Sequence, residues 1–163
     1  MNTGNKLVIG ISGFARTGKN TLCNNILKFV RDYNIQIKEY SFAYYLKNDL
    51  RELCLDKFGI DSFTEKTEEK TIIRPLLIAY GECMRTFSKG TYWWKMVKQN
   101  MEQDFSRGNQ VAVISDCRFF EYDGQDEIDF IKSYKNNLLF TVKQDNVGPA
   151  HISEERNMPK IEA

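Results

Sequence analysis

Histidine occurs once, at position 151, proline occurs three times, and the four cysteines, Cys23, Cys54, Cys83 and Cys117, stand far apart with no paired spacing. Each scarcity excludes something. A zinc site built from cysteine and histidine needs clustered ligands, and none are clustered here. Cys23, Cys54 and Cys83 fall in expected helices, where a free cysteine acts as a small apolar residue, and a reducing cytoplasm is the simplest setting. No apolar run approaches the length of a membrane span, and the opening Met1-Asn2-Thr3-Gly4-Asn5-Lys6 lacks the apolar core of a signal peptide. A soluble, cytoplasmic protein with no membrane partner is the expectation. Charge of one sign is also lacking: 23 basic residues against 22 acidic ones leave a formal net charge of +1. That gives no whole-molecule basic field, so nucleic acid is not an expected partner.

What is present fits one soluble domain over residues 1–163, since 42% hydrophobic and 28% charged residues are ordinary for a globular chain of this length. The most informative stretch is Gly13-Phe14-Ala15-Arg16-Thr17-Gly18-Lys19-Asn20-Thr21. Before it, Lys6 to Ile11 has the β-branched character of a buried parallel strand. After it, Leu22, Ile26, Leu27 and Val30 recur at helical spacing. Gly13 and Gly18 allow backbone angles that point consecutive N–H groups at phosphate oxygens, the new helix adds its positive end, and Lys19 supplies a mobile charge. The stretch is read as a phosphate cradle. Asn20 stands where a metal-binding hydroxyl normally follows the lysine, and Thr21 comes one place later.

Further along, Gln36 to Phe42 reads as a strand, and Ala43 opens a helix that runs to about Phe58 before Gly59. Asp61 to Lys70 is polar and without a clear period, and reads as a loop. A helix is expected from Thr71, with Gly81 weakening its continuity. Another is expected from about Tyr92 to before Gly108, with Tyr92-Trp93-Trp94 as core and cleft wall rather than a stacking platform. Val111 to Ser115 is a second buried strand. Asp116 follows at its carboxyl end, where parallel sheets collect ligands, and Arg118 can grip phosphate with two N–H groups. An acidic residue at that place can position Mg²⁺ or its water shell. Glu127 to Ser133 reads as a helix and Leu138 to Val142 as a strand. The remainder is a polar tail, in which the lone His151 is expected to be solvated. This β-α-β-α order predicts an α/β fold.

Together these stretches resemble the phage-type deoxynucleoside monophosphate kinases, a P-loop family related in fold to adenylate kinase, over most of the chain. Gly13 to Thr21 resembles the family's phosphate loop, usually with Asp in place of Asn20. Phe42-Ala43 with Leu46-Lys47, Gly81 to Arg85, Tyr92-Trp93, Asp116-Cys117-Arg118-Phe119 and His151-Ile152-Ser153-Glu154 match its later motifs. The family glutamate after the aspartate-any-arginine motif is matched by Glu121 or Glu127. The resemblance implies a three-layer P-loop NTPase fold, a parallel sheet flanked by helices, without the family's usual terminal strand and helix. A homodimer, with those elements supplied by a second chain, is left open.

It also implies ATP-dependent phosphorylation of a deoxynucleoside monophosphate, with ATP and Mg²⁺ as cofactors and small nucleotides as partners. Gly13, Ala15, Arg16, Thr17, Gly18, Lys19, Asn20 and Thr21 would hold ATP, and Thr21 and Asp116 the metal. Lys47, Arg74, Tyr80, Arg85, Trp93 and Arg118 would hold the acceptor. Lys19, Arg85, Asp116 and Arg118 would form the catalytic set, with Arg74 and Lys143 as lesser helpers that read more readily as surface residues. The alternatives are a P-loop kinase for another small phosphorylated acceptor, of the phosphomevalonate or dephospho-coenzyme A type, and a nucleotide-binding protein that has lost catalysis. A nucleic-acid-dependent ATPase is disfavoured by the neutral charge.

Overall fold

The computed structural model describes residues 6–122 and 124–162, with the side chains of Ser153 and Glu162 outside that description. The first five residues, which carry part of the signal-peptide reading, also lie outside it. Strand β1 (Leu7–Gly13) is followed by helix α1 (Lys19–Asp32), β2 (Ile37–Tyr40), α2 (Phe42–Phe58), α3 (Thr67–Ser88) and α4 (Thr91–Ser106). Strand β3 (Val111–Cys117), α5 (Glu127–Lys132), β4 (Asn137–Val142) and α6 (Ile152–Glu162) complete the described elements.

The strands form one parallel sheet in the order β2-β3-β1-β4. Alternation along the pleat sorts the central strands onto two faces. Ile9, Ile11, Val111 and Val113 face Cys23 and Leu27 of α1. Val8, Ala112 and Ile114 face Val97 and Met101 of α4, Ile128 and Ile131 of α5, and Met158 of α6. With both faces covered, β1 and β3 are continuous apolar runs, as buried parallel strands must be. The expected α/β architecture with flanking helices is therefore present.

The connections leave β1 and β3 in opposite directions: α1 carries the chain from β1 to the far strand β2, while α5 carries it from β3 to β4 beyond β1. A crevice forms at the carboxyl ends of two strands that diverge in this way. Register brings Ser12 level with Cys117, so the glycine-rich turn and Asp116 to Arg118 share that edge.

Several boundaries differ from the sequence reading. Helix α3 starts at Thr67, inside the stretch read as a loop, because Glu68 and Glu69 favour a helix amino end without adding apolar period. Gly81 does not interrupt α3. A Cβ there would meet Leu46 at 3.4 Å, an ordinary van der Waals contact between α3 and α2. The polar tail is not a solvated extension either: it contains α6, with Glu154 and Asn157 fully buried. Among the described residues, no helix is long and apolar enough to cross a membrane.

Candidate active site

The glycine-rich turn has the backbone its glycines foreshadow. Gly13, Arg16 and Gly18 all have positive φ, at 141°, 68° and 93°. A Cβ at Gly13 would collide with the Val142 carbonyl oxygen on β4. Thr17 Oγ1 donates to the Phe14 carbonyl at 2.8 Å, and Lys19 Nζ folds back to the carbonyls of Gly13 at 2.8 Å and Phe14 at 2.6 Å. The lysine thus closes the turn on itself. Burial lowers its pKa, Glu154 opposes that effect and Arg118 adds to it. No side chain caps the amino end of α1, whose first N–H groups have no intrahelical acceptor. Arg16, Asn20 and Thr21 are exposed.

Beside this turn lies a cavity of about 270 Å³, and Lys47, Arg74, Arg85, Trp93, Asp116 and Arg118 all line it. Six residues expected at an acceptor or catalytic site are therefore brought together from α2, α3, α4, β3 and the turn that follows β3. Phe42, Leu46, Leu77 and Phe119 add an apolar wall. Trp93 is the tryptophan that faces the cavity. Trp94 instead stacks on Phe130 at 5.1 Å and donates its indole N–H to the Gln125 carbonyl. Tyr80 does not line the cavity: its hydroxyl reaches Asp49 at 3.3 Å and its ring packs edge-on against Trp93. A supporting position replaces the direct contact expected for it.

Two of the expected catalytic residues are engaged differently from their sequence assignment. Asp116 accepts from Ser41 Oγ at 2.7 Å and from the N–H groups of Phe42 and Ala43, both at 2.8 Å. Its carboxylate fastens the amino end of α2 to β3, so the side chain holds a cavity wall; Oδ2 takes two of the three hydrogen bonds and Oδ1 one. Arg85 is buried in an ion pair, with Nη1 and Nη2 on the two oxygens of Asp126 at 2.9 and 3.0 Å. Nη2 also meets Glu121 at 3.3 Å, and the guanidinium lies 3.5 Å from the centre of the Phe119 ring. Burial opposes its charge, yet the hydrogen bonds to Asp126 hold its pKa above the ordinary value, while the same pairing draws the buried Asp126 below its own. Arg85 forms the floor of the cavity as part of the structure.

The two glutamates left open by sequence separate by role. Glu127 accepts from the N–H groups of Arg118 and Phe119 at 2.8 and 3.0 Å, which closes the turn after β3. Burial pushes its pKa up to about 8, against the pull of Arg85 and the Arg118 N–H. Glu121 accepts from Arg85 and from Asn157 Nδ2.

Arg118 is unlike Arg85. Its side chain is 43% exposed, and Nη2 meets Glu154 Oε1 at 3.3 Å. Glu154 Oε2 accepts from the Ala15 N–H at 3.3 Å and the Ala150 N–H at 2.9 Å. One carboxylate from α6 therefore joins the glycine-rich turn to the arginine of the cavity. The sequence reading had placed Glu154 within a motif but gave it no role. Asp126 was also missed, although its place at the head of a capping box with Asp129 was a legible signal.

His151 also lines the cavity, so it is not the solvated tail residue composition suggested. A further cavity, of about 510 Å³, borders the turn at Phe14 and is also lined by Val142, Lys143, Gln144, Val147 and Pro149. Comparison with protein-family models finds no match to this chain, and comparison with curated proteins finds none either.

Proposed function

We propose that this chain is a P-loop kinase that transfers the γ-phosphoryl group of ATP to the phosphate of a deoxynucleoside monophosphate. The observation that carries the reading is the juxtaposition, at the divergent ends of β1 and β3, of a glycine-rich turn closed by Lys19 and a cation-lined cavity bordered by Arg118. Acceptor class is supported by the same cavity. Lys47, Arg74 and Arg118 suit a phosphate, while Phe42, Leu46 and Trp93 offer an aromatic base an apolar wall that a small aliphatic phosphate would leave unused. The deoxy sugar and the three-layer P-loop assignment rest on the family resemblance. The second cavity, beside Phe14, has the position and size for the donor base.

The chemistry asks little of the protein covalently. An acceptor phosphate oxygen bonds to Pγ while the bond from Pγ to the β,γ-bridging oxygen breaks, and ADP leaves with that electron pair. Catalysis then consists of aligning two anions, neutralising them and excluding water. Lys19 would leave the carbonyls of Gly13 and Phe14 for the donor phosphates, and the first N–H groups of α1 would join it. Mg²⁺ would supply charge neutralisation and arrive with those phosphates, keeping several waters. Of the two expected metal residues, Thr21 is exposed in the first turn of α1, and Asp116, fastened to α2, keeps one lone pair on Oδ1 for the ion or its water shell.

The test is to incubate the purified protein with Mg²⁺, ATP and each common deoxynucleoside monophosphate in turn, measuring diphosphate and ADP together. One or a few acceptors are expected to be converted, with Lys19→Ala slower by about 1,000-fold and still folded. Full activity in Lys19→Ala would overturn the donor site. ATP binding without transfer to any acceptor would favour a nucleotide-binding protein without catalysis.

A further inference from the structure

Glu154 combines three properties seldom found in one side chain: it is 1% exposed, it is an acid, and every partner named for it belongs to a different part of the site. Its donors are the Ala150 N–H just before α6 at 2.9 Å and, on the side of the turn, the Ala15 N–H at 3.3 Å, Arg118 at 3.3 Å and, at longer range, Lys19, whose charge it supports. Apart from the Ala150 N–H, that is the donor set that receives a phosphoryl group. We propose that the Glu154 carboxylate occupies the seat of the transferred phosphoryl group while the enzyme is empty, and that ATP must displace it, releasing Arg118 for the acceptor. The inference rests on the reading that the turn takes a nucleoside triphosphate.

Two anions cannot share the Ala15 N–H and the Arg118 guanidinium at close range, because like charges in a partly buried site repel strongly. Glu154 can leave without dismantling the fold, since the next turn of α6 has its own anchors. Asn157 Oδ1 accepts from the Phe120 N–H at 2.8 Å, and Met158 Sδ accepts from Ser12 Oγ at 3.4 Å. Only the start of the helix and Ala150 need move. With Glu154 in place, Arg118 is neutralised and the transfer position is filled. With ATP in place, Arg118 exchanges that carboxylate for the transferred phosphoryl group, and the other N–H groups of its guanidinium fork can reach an acceptor phosphate in the cavity. Donor binding thereby arms the acceptor site, and the acceptor is expected to bind more tightly to the ATP complex than to the empty protein.

The experiment has two independent arms. In the first, ATP affinity is measured by calorimetry for the wild type, Glu154→Gln and Glu154→Ala. Removing the competing charge is expected to tighten ATP binding by about tenfold in both variants. In the second, which needs no variant, hydrogen exchange at the Ala150 amide is followed in the wild type. Exchange is expected to be about tenfold faster with ATP than without, because the Ala150–Glu154 bond opens. Should the variants lose the fold, the Ala150 amide decides alone.

Unchanged or weaker ATP affinity in folded variants would overturn the proposal, and so would an Ala150 amide equally protected with ATP bound; either result leaves the kinase reading standing. A wild type that takes no ATP at millimolar concentration would instead bring down the nucleotide reading, and the displacement with it.

Discussion

The mouth and the floor of the central cavity each present an arginine, and the two are held in opposite ways. At the floor, Arg85 is 5% exposed and faces Asp126, Glu121 and Glu127, so its charge is compensated within the fold. At the mouth, Arg118 is 43% exposed and has Glu154 as its recorded ion-pair partner, on a helix that joins the turn to the cavity. Sequence alone gives the two residues the same rank. The difference teaches that a cation near a crevice is available to a ligand only when its counter-charge can be exchanged. A bidentate buried carboxylate cannot be exchanged cheaply, and one that meets a half-exposed guanidinium through a single 3.3 Å contact can.

Breaking the floor has the larger expected effect. Arg85→Ala strands Asp126, which is 0% exposed, and is expected to lower stability by about 3–5 kcal/mol in urea unfolding. Arg85→Lys should recover only part of this, because one ammonium cannot meet both Asp126 oxygens as the guanidinium fork does. An unchanged unfolding midpoint would show that the N–H groups of Glu121, Tyr122 and Glu127, which also donate to Asp126, suffice to hold it.

Breaking the mouth should disturb the fold less. Arg118→Ala takes the ion-pair partner from buried Glu154 but leaves it the N–H groups of Ala15 and Ala150, and is expected to lower stability by about 1–3 kcal/mol. Its kcat/KM for the acceptor nucleotide should fall by about a hundredfold, with a smaller change in ATP affinity. Equal losses for donor and acceptor in a folded variant would erase the division of labour between the turn and the cavity.

This contrast also marks where sequence reading succeeds. Apolar runs, glycines at fixed offsets and a lysine opening a helix are local signals. So β1, β3, the turn over Gly13 to Lys19 and the end of α2 at Gly59 all lie where the residues place them. The gathering of Lys47, Trp93 and Arg118 around one cavity was legible through motif order, whereas Arg74, which stands in no motif, joins them only through the packing of α3. What escaped is non-local and polar. The partner of Arg85 lies 41 residues away at Asp126, and that of Asp116 lies 75 residues back at Ser41. Nothing in the neighbouring sequence of either residue announces the pairing. Helix α6 escaped for a related reason: it buries Glu154 and Asn157 alongside Met158 and Ile161, and hydrophobic periodicity is blind to a helix whose buried face is partly polar.

The last expected effect is graded with pH and separates two adjacent carboxyls within the floor itself. Asp126 is drawn below its ordinary pKa of 3.8 by Arg85, whereas burial raises Glu127 from 4.5 to about 8. Between those last two values the folded protein keeps a proton on Glu127 that the unfolded chain has released. Stability therefore falls as pH rises through that window and levels off above it. The slope from this one group is at most about 1.4 kcal/mol per pH unit. Asp126 acts with the opposite sign and only below its ordinary value, so the two contributions do not overlap. Glu127→Gln keeps an oxygen for the N–H groups of Arg118 and Phe119 but carries no titrating proton. Urea unfolding of both proteins from pH 5 to 9 is expected to show the wild type losing ground to the variant up to about pH 8, with a constant difference beyond. Parallel profiles across that range would mean that Glu127 is charged in the folded protein, and that the floor of the cavity carries one more negative charge than the balance described here.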